Sequence, residues 1–343
     1  MKNKCLKTVF ALFAVFALIS AAVLQAGVLP ASAESSDLML IPGGSAFGIK
    51  FFALGALVIG TTGIETEQGL VFPAKDAGIR SKDIIIRVCG REIESAYQMS
   101  EIISGSAGIP VAVAYLRDGK ENTVNVTPVK EMSSKEYKIG VMVRDSTAGI
   151  GTVTYIVPAT KEFGGLGHGI NDSETNVLFP LAKGITVDAT IRNVVKSEKN
   201  RPGELKGDFG KAETGRLYSN TDMGVFGKFE KLPKNVSSPV PVASRDEMKE
   251  GEAKVITTLS ESGPEEYSIN IDKIYDKSGK TKNFLLRITD EKLLSAAGGI
   301  VQGMSGSPII QNGKLVGAVT HVLVNDPTRG YGIFIENMLD AAA

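Results

Sequence analysis

The sequence predicts a mostly β protein of two units: a small α+β unit over residues 38–130 and a larger unit over 138–343 built as a pair of closed antiparallel barrels, with 131–137 as a linker. Three observations predict this. Strand-like runs recur at short spacing, as in Thr152–Val157, Ile185–Ile191, Ala253–Thr258 and Tyr267–Ile274. Turn signals separate such runs, among them Ser262-Gly263-Pro264, Lys277-Ser278-Gly279-Lys280 and Gln311-Asn312-Gly313-Lys314. Helical patterning is confined to short stretches such as Tyr97–Ser104 and Glu291–Leu294.

The chain has 343 residues, is 43% hydrophobic and balances 38 basic against 38 acidic side chains, so it is long enough for two cores and carries no net field for a polyanion. The absence of Trp and a 6% aromatic content remove stacking platforms for single strands, and no basic stripe runs through the sequence. Nucleic acid is therefore not an expected partner, and no metal or other cofactor is implied.

At the N-terminus, Lys2, Lys4 and Lys7 precede an apolar run from Val9 to Leu24, and Ala31-Ser32-Ala33 fits a small-residue cleavage site. Residues 1–33 are read as an export leader that carries the protein across the cytoplasmic membrane. Weak apolar continuation to Leu29 brings the run near membrane-spanning length, so a retained anchor fits as well. Cys5 falls in the leader, and Cys89 is expected inside a strand, which leaves no disulfide in a mature chain.

In the first unit, Ala77-Gly78-Ile79 followed by Asp83-Ile84-Ile85, the Val88-Cys89-Gly90 hairpin and the helix-like 97–104 resemble a PDZ domain. The resemblance implies that Phe47-Gly48-Ile49 is the loop whose amides receive a peptide carboxylate while an edge strand pairs with the peptide. The polar stretch Lys130–Glu136 reads as the break between units, and 196–249, rich in Gly, Lys and Pro, as long surface loops.

The chemistry centres on Gly303-Met304-Ser305-Gly306-Ser307-Pro308, which resembles the nucleophile turn of chymotrypsin-like serine proteases. Its glycines permit a tight turn that exposes the Ser305 hydroxyl and aims the amides of Gly303 and Ser305 at a developing oxyanion. A serine hydroxyl needs a base, and the chain holds only two histidines. His168, in the glycine-flanked Gly165-Leu166-Gly167-His168-Gly169, is favoured over His321, which lies near the end of a strand. For the acid that orients the imidazole, Asp290 at the end of a strand is chosen; it also suits an N-cap of the helix it precedes, and Asp172, Asp188 and Asp272 remain open.

Together Gly149–Tyr155, Gly165–Ile170, Arg201–Gly207, Gly224–Gly227 and Gly299–Pro308 resemble the SpoIVB peptidase family of endospore-forming bacteria, over nearly the whole chain after the leader. That resemblance implies a PDZ-like unit followed by a chymotrypsin-like double-barrel protease with His168, Asp290 and Ser305 as triad. It also implies action in the space between the forespore membranes. There the enzyme would cleave itself and a membrane-embedded regulator, triggering pro-sigma-K processing by an intramembrane metalloprotease. The region before the PDZ-like unit is short for the family. An HtrA-type quality-control protease is the alternative enzyme, disfavoured by its opposite unit order, and an inactive peptide-binding scaffold is the alternative without chemistry.

Overall fold

The computed structural model describes residues 38–233, 236–275 and 281–343. The expected leader and the turn at 277–280 lie outside them. The chain opens with strands β1 (Met39–Pro42) and β2 (Ala46–Thr61). In the first half of β2, Phe47, Ile49, Phe51 and Ala53 are buried while Phe52 and Leu54 are exposed, the two-residue period of a strand with one face on a core.

A compact α+β unit follows, with helices α1 (Pro73–Asp76) and α2 (Ala96–Gly105) and strands β3 (Ile84–Val88), β4 (Val111–Arg117) and β5 (Lys120–Val126). Helix α2 starts where the Ser95 hydroxyl accepts from the Gln98 amide, and it buries Met99 and Ile103, one turn apart on one face. The chain then returns through β6 (Val141–Ile156), β7 (Glu162–Gly165), β8 (Leu181–Val195), β9 (Glu204–Thr221) and β10 (Gly224–Phe229).

These pairings close a first barrel in the order β2-β6-β7-β10-β9-β8 and back to β2. Its core includes Phe47, Phe163 and Phe229, the last two stacked with ring centroids 4.2 Å apart. The second barrel is built from β11 (Gly251–Thr258), β12 (Pro264–Ile274), β13 (Phe284–Ile288), β14 (Pro308–Gln311), β15 (Lys314–Leu323) and β16 (Asp326–Phe334), closed in the order β11-β12-β13-β16-β15-β14. Between β13 and β14 lie helix α3 (Glu291–Ala297) and the turn that carries Ser305. The C-terminal helix α4 (Ile335–Ala342) buries Ile335 and Met338 in one cluster with Leu40 of β1, Phe226 of the first barrel and Ile333 of the second, tying the barrels together.

The mostly β class and the pair of barrels agree with expectation, but the boundaries do not. The α+β unit does not precede the barrels over 38–130; it is inserted into the first one. Both β2 and β6 are 16 residues long and serve both bodies. One end of β2 pairs with β8 and with Ser146–Thr152 of β6, the other with β3 and with Val141–Arg144 of β6.

Nor is 131–137 a linker. Val129 and Lys130 pair with Lys138 and Tyr137, and Glu131 accepts from the Ser134 hydroxyl at 2.6 Å and pairs with Lys138, so the stretch is a folded hairpin turn. The expected surface loops of 196–249 include the 18-residue β9, a wall of the first barrel. Cys89 is exposed at a turn with φ +50°, not inside a strand.

Candidate active site

The turn carrying Ser305 emerges from the second barrel and presses on the first. Gly303 and Gly306 adopt φ of +99° and +94°, which L side chains rarely reach, and a Cβ on Gly306 would lie 2.1 Å from the Thr152 carbonyl oxygen. Two threonines of β6 hold the turn. The Thr152 hydroxyl donates to the Gly303 carbonyl and the Thr154 hydroxyl to the Gly306 carbonyl, each at 2.7 Å. The Thr152 amide also donates to the Ser305 carbonyl at 3.1 Å. Both side chains are fully buried, so each satisfies its hydroxyl by pinning a carbonyl of the opposite barrel. These residues lie in the Gly149–Tyr155 motif, whose alternation of threonine with Val153 and Tyr155 was a legible but unused signal.

With the carbonyls so engaged, the amides of Gly303 and Ser305 donate to no group among the described residues. They are available to an oxyanion. The Ser305 hydroxyl donates to the Thr320 carbonyl at 2.9 Å.

His168 stands across a cleft of about 300 Å³ from Ser305; Ile49, Ile150, Leu166 and Gly303 line the same space. The loop that holds it is clamped by Asn220. That side-chain amide donates to the Ile170 and Phe179 carbonyls at 3.0 and 3.1 Å and accepts from the Ile170 amide at 2.9 Å. The Leu166 amide donates to the Thr152 carbonyl at 3.2 Å, so one β6 residue touches both the histidine loop and the serine turn. His168 Nδ1 lies 2.8 Å from the Gly169 carbonyl oxygen. A carbonyl only accepts, so the proton sits on Nδ1 and Nε2 keeps its lone pair. Burial pulls the His168 pKa below the usual histidine value, which keeps the ring neutral.

His321, set aside as a rim residue in the sequence, lies with its ring centroid 5.2 Å from that of His168. Burial, followed by the neighbouring His168 and Lys282, lowers its pKa to about 4, and its buried Nδ1 has no hydrogen-bond partner among the described residues.

No carboxylate among the described residues is hydrogen-bonded or ion-paired to either imidazole. Asp290 is the N-cap of α3: its side chain accepts from the amides of Lys292 at 3.0 Å, Leu293 at 3.1 Å and Ser268 at 3.2 Å. The capping role prevails over the triad role because unpaired amides at a helix start compete for any adjacent carboxylate. Asp172 pairs with Arg144 at 2.8 Å and caps its own turn through Thr175. Asp272 is held by Arg329 and Arg287, and Asp188 is exposed on β8.

Phe47, Gly48 and Ile49 do not form a peptide-binding loop. They pair with Gly151, Ile150 and Gly149 on one side and with Asp188, Val187 and Thr186 on the other, so as an interior barrel strand they have no free amides to offer. Ile49 instead lines the cleft beside His168. Among the described residues no group of three or more His, Cys, Asp or Glu side chains could hold a metal ion, and no helix is long and apolar enough to cross a membrane.

A family model described as SpoIVB peptidase S55 matches residues 135–339. Among curated relatives, the serine protease Do-like HtrB of Bacillus subtilis is 34% identical over 64 residues, 18% of this chain and 14% of that protein. The chain spans about a fifth or less of the length of the curated relatives it matches. Among solved structures, the PDZ domain of an SdrC-like protein from Listeria monocytogenes is similar with a TM-score of 0.21 and 17% identity, over 26% of this chain and 87% of that one. The Rv3671c protease from M. tuberculosis, in its active form, is similar with a TM-score of 0.31 and 14% identity, over 57% of this chain and 73% of that one.

Proposed function

This chain belongs to the SpoIVB peptidase S55 family, and from that premise we propose that it is a serine endopeptidase in which Ser305 is the nucleophile and His168 its general base. The observation that carries the reading is the meeting of Ser305 and His168 across one cleft that also presents the unpaired amides of Gly303 and Ser305.

The chemistry follows from these groups. The Ser305 hydroxyl turns from the Thr320 carbonyl toward the imidazole, Nε2 of His168 takes its proton, and the oxygen attacks the substrate carbonyl. The carbonyl oxygen gains negative charge and is met by the two amides; one such donor is typically worth about 10²–10³ in turnover. The imidazolium then protonates the leaving amine, and water repeats the sequence on the acyl-enzyme. The Gly169 carbonyl, which accepts from Nδ1–H, takes the orienting role that a carboxylate fills in a triad.

The physiological role is proposed on the motif resemblance to the family: a signalling protease of sporulation, exported by its N-terminal leader or anchored by it. It cleaves itself and a membrane-associated regulatory protein, and so triggers pro-sigma-K processing.

Fluorophosphonate labelling tests the chemistry. Label should appear on the wild type and vanish in Ser305→Ala and His168→Ala. Undiminished peptide cleavage by purified Ser305→Ala overturns the nucleophile assignment. Mass spectrometry of the mature N-terminus, in wild type and Ser305→Ala, reads leader removal and self-cleavage separately.

A further inference from the structure

The Arg201–Gly207 motif plays no part in the chemistry above, yet its backbone reaches the nucleophile turn. The connection between β8 and β9 crosses from the first barrel to the second and lies along 297–302. Ser197 is its hub. This buried residue donates its amide to the Ala297 carbonyl at 2.8 Å and its hydroxyl to the Ile300 carbonyl at 2.8 Å, while the hydroxyl oxygen accepts from the Gly203 amide at 2.8 Å. One side chain thus ties the two limbs of the connection to each other and to the segment leading into the turn.

The far limb continues the contact as a parallel bridge between Glu204 and Gln302. The Gln302 amide donates to the Gly203 carbonyl and the Leu205 amide to the Gln302 carbonyl, both at 2.8 Å. In a trans peptide the C=O and the following N–H point to opposite sides. With the Gln302 carbonyl held on Leu205, the Gly303 N–H must face away from β9. The Leu205 side chain packs behind it, 3.0 Å from where a Cβ on Gly303 would stand. The tight crossing also accounts for Gly203, where a Cβ would lie 2.1 Å from the Val195 carbonyl oxygen.

We propose that the Lys196–Leu205 connection, organised by Ser197, is the positioning element of the oxyanion hole: it fixes the plane of the Gln302–Gly303 peptide so that the Gly303 amide is presented to the reacting carbonyl. The inference rests on the reading of Ser305 as nucleophile. Ser197 touches no reacting atom; it acts through Gln302. Losing its hydroxyl frees the Gln302–Gly303 peptide to rotate, which affects a donor used only as charge develops on the substrate oxygen.

The test compares wild type, Ser197→Ala, Ser197→Cys and Ser197→Thr in peptide cleavage, with the affinity of a peptide aldehyde, which must form a tetrahedral oxyanion on Ser305, as second readout. For Ser197→Ala, kcat falls about 10- to 10²-fold with KM within a few-fold, and aldehyde affinity falls in parallel. Ser197→Thr, which keeps the hydroxyl, recovers most of both. Amide hydrogen exchange over 298–305 rises in Ser197→Ala before global unfolding. If Ser197→Ala does not fold, Ser197→Cys, similar in volume and a poor hydrogen-bonder, carries the same expectations. A loss confined to Tm, with kcat and aldehyde affinity unchanged, overturns the proposal. Failure of the nucleophile reading itself is separate: it shows as wild-type cleavage by Ser305→Ala.

Discussion

Replacing Thr152 with valine removes one hydrogen bond at the junction of the barrels and almost nothing else. The two side chains have nearly the same shape, and Thr152 is fully buried in β6, so the substitution opens no cavity. What is lost is the 2.7 Å donation to the Gly303 carbonyl. Leaving a partly buried carbonyl unpaired costs about 1–2 kcal/mol, which corresponds to a fall of about 2–6 °C in Tm for a domain of this size. The same carbonyl anchors the turn between the amides of Gly303 and Ser305, the proposed oxyanion donors. Its release lets Gly303 and Ser305 spread over several orientations, so kcat should fall about tenfold with KM little changed. Differential scanning calorimetry and steady-state hydrolysis of a peptide substrate measure both. Thr152→Ser, which keeps the donor, should retain kcat, and the double variant Thr152→Val with Thr154→Val should lose less than the sum of its parts because both hydroxyls brace one turn. Wild-type kcat and Tm in Thr152→Val would refute the bracing argument.

Asn220→Ala removes three hydrogen bonds to the histidine loop, so it should lower stability by about 2–3 kcal/mol and turnover more than tenfold, read by denaturant unfolding and kcat, while Asn220→Asp should rescue neither. Asp290→Ala should cost about 1 kcal/mol as a lost cap and Asp290→Asn almost nothing, with kcat within a few-fold in both; a fall of about 10⁴ in Asp290→Asn would restore the triad role. Because burial lowers the pKa of His168, the acid limb of the kcat/KM profile should lie below the pH at which an unperturbed histidine titrates. His321 titrates near pH 4 in the folded chain and near 6.5 when unfolded. The unfolded chain therefore binds the extra proton first, and stability should fall as pH drops from about 6.5 toward 4, a slope that His321→Gln should flatten in pH-dependent melts.

That Ser305 and His168 line one cleft was legible in the sequence because each was singled out by local chemistry: two glycines around Ser305, and a choice between two histidines. The strands were legible through alternation, as in β12, and the turns through Asn312-Gly313. What sequence order concealed was which body a strand belongs to. Phe47-Gly48-Ile49 matches a short loop pattern, yet the longer alternation Phe47, Ile49, Phe51, Ala53 marks a buried strand, and the longer signal decides. Asp290 could be read as triad acid or as cap with equal ease, since both uses want a carboxylate at the end of a strand; only the amides of α3 separate them. The bonds of Ser197 to Ile300, Thr152 to Gly303 and Asn220 to Ile170 join residues 103, 151 and 50 positions apart, and nothing local announces them.

Because β2 and β6 run unbroken through both bodies, this protein cannot be dissected at the boundary its residue order suggests. Removing everything before residue 138 deletes a stave from the first barrel, since the strand lost is the one between β6 and β8. The α+β unit must instead be excised from within. Leu57 and Arg144 face each other as antiparallel partners, so a two-residue hairpin joining them can replace the whole insert and leave the barrel closed. Such a shortened chain is the sound starting point for asking what the insert contributes to cleavage.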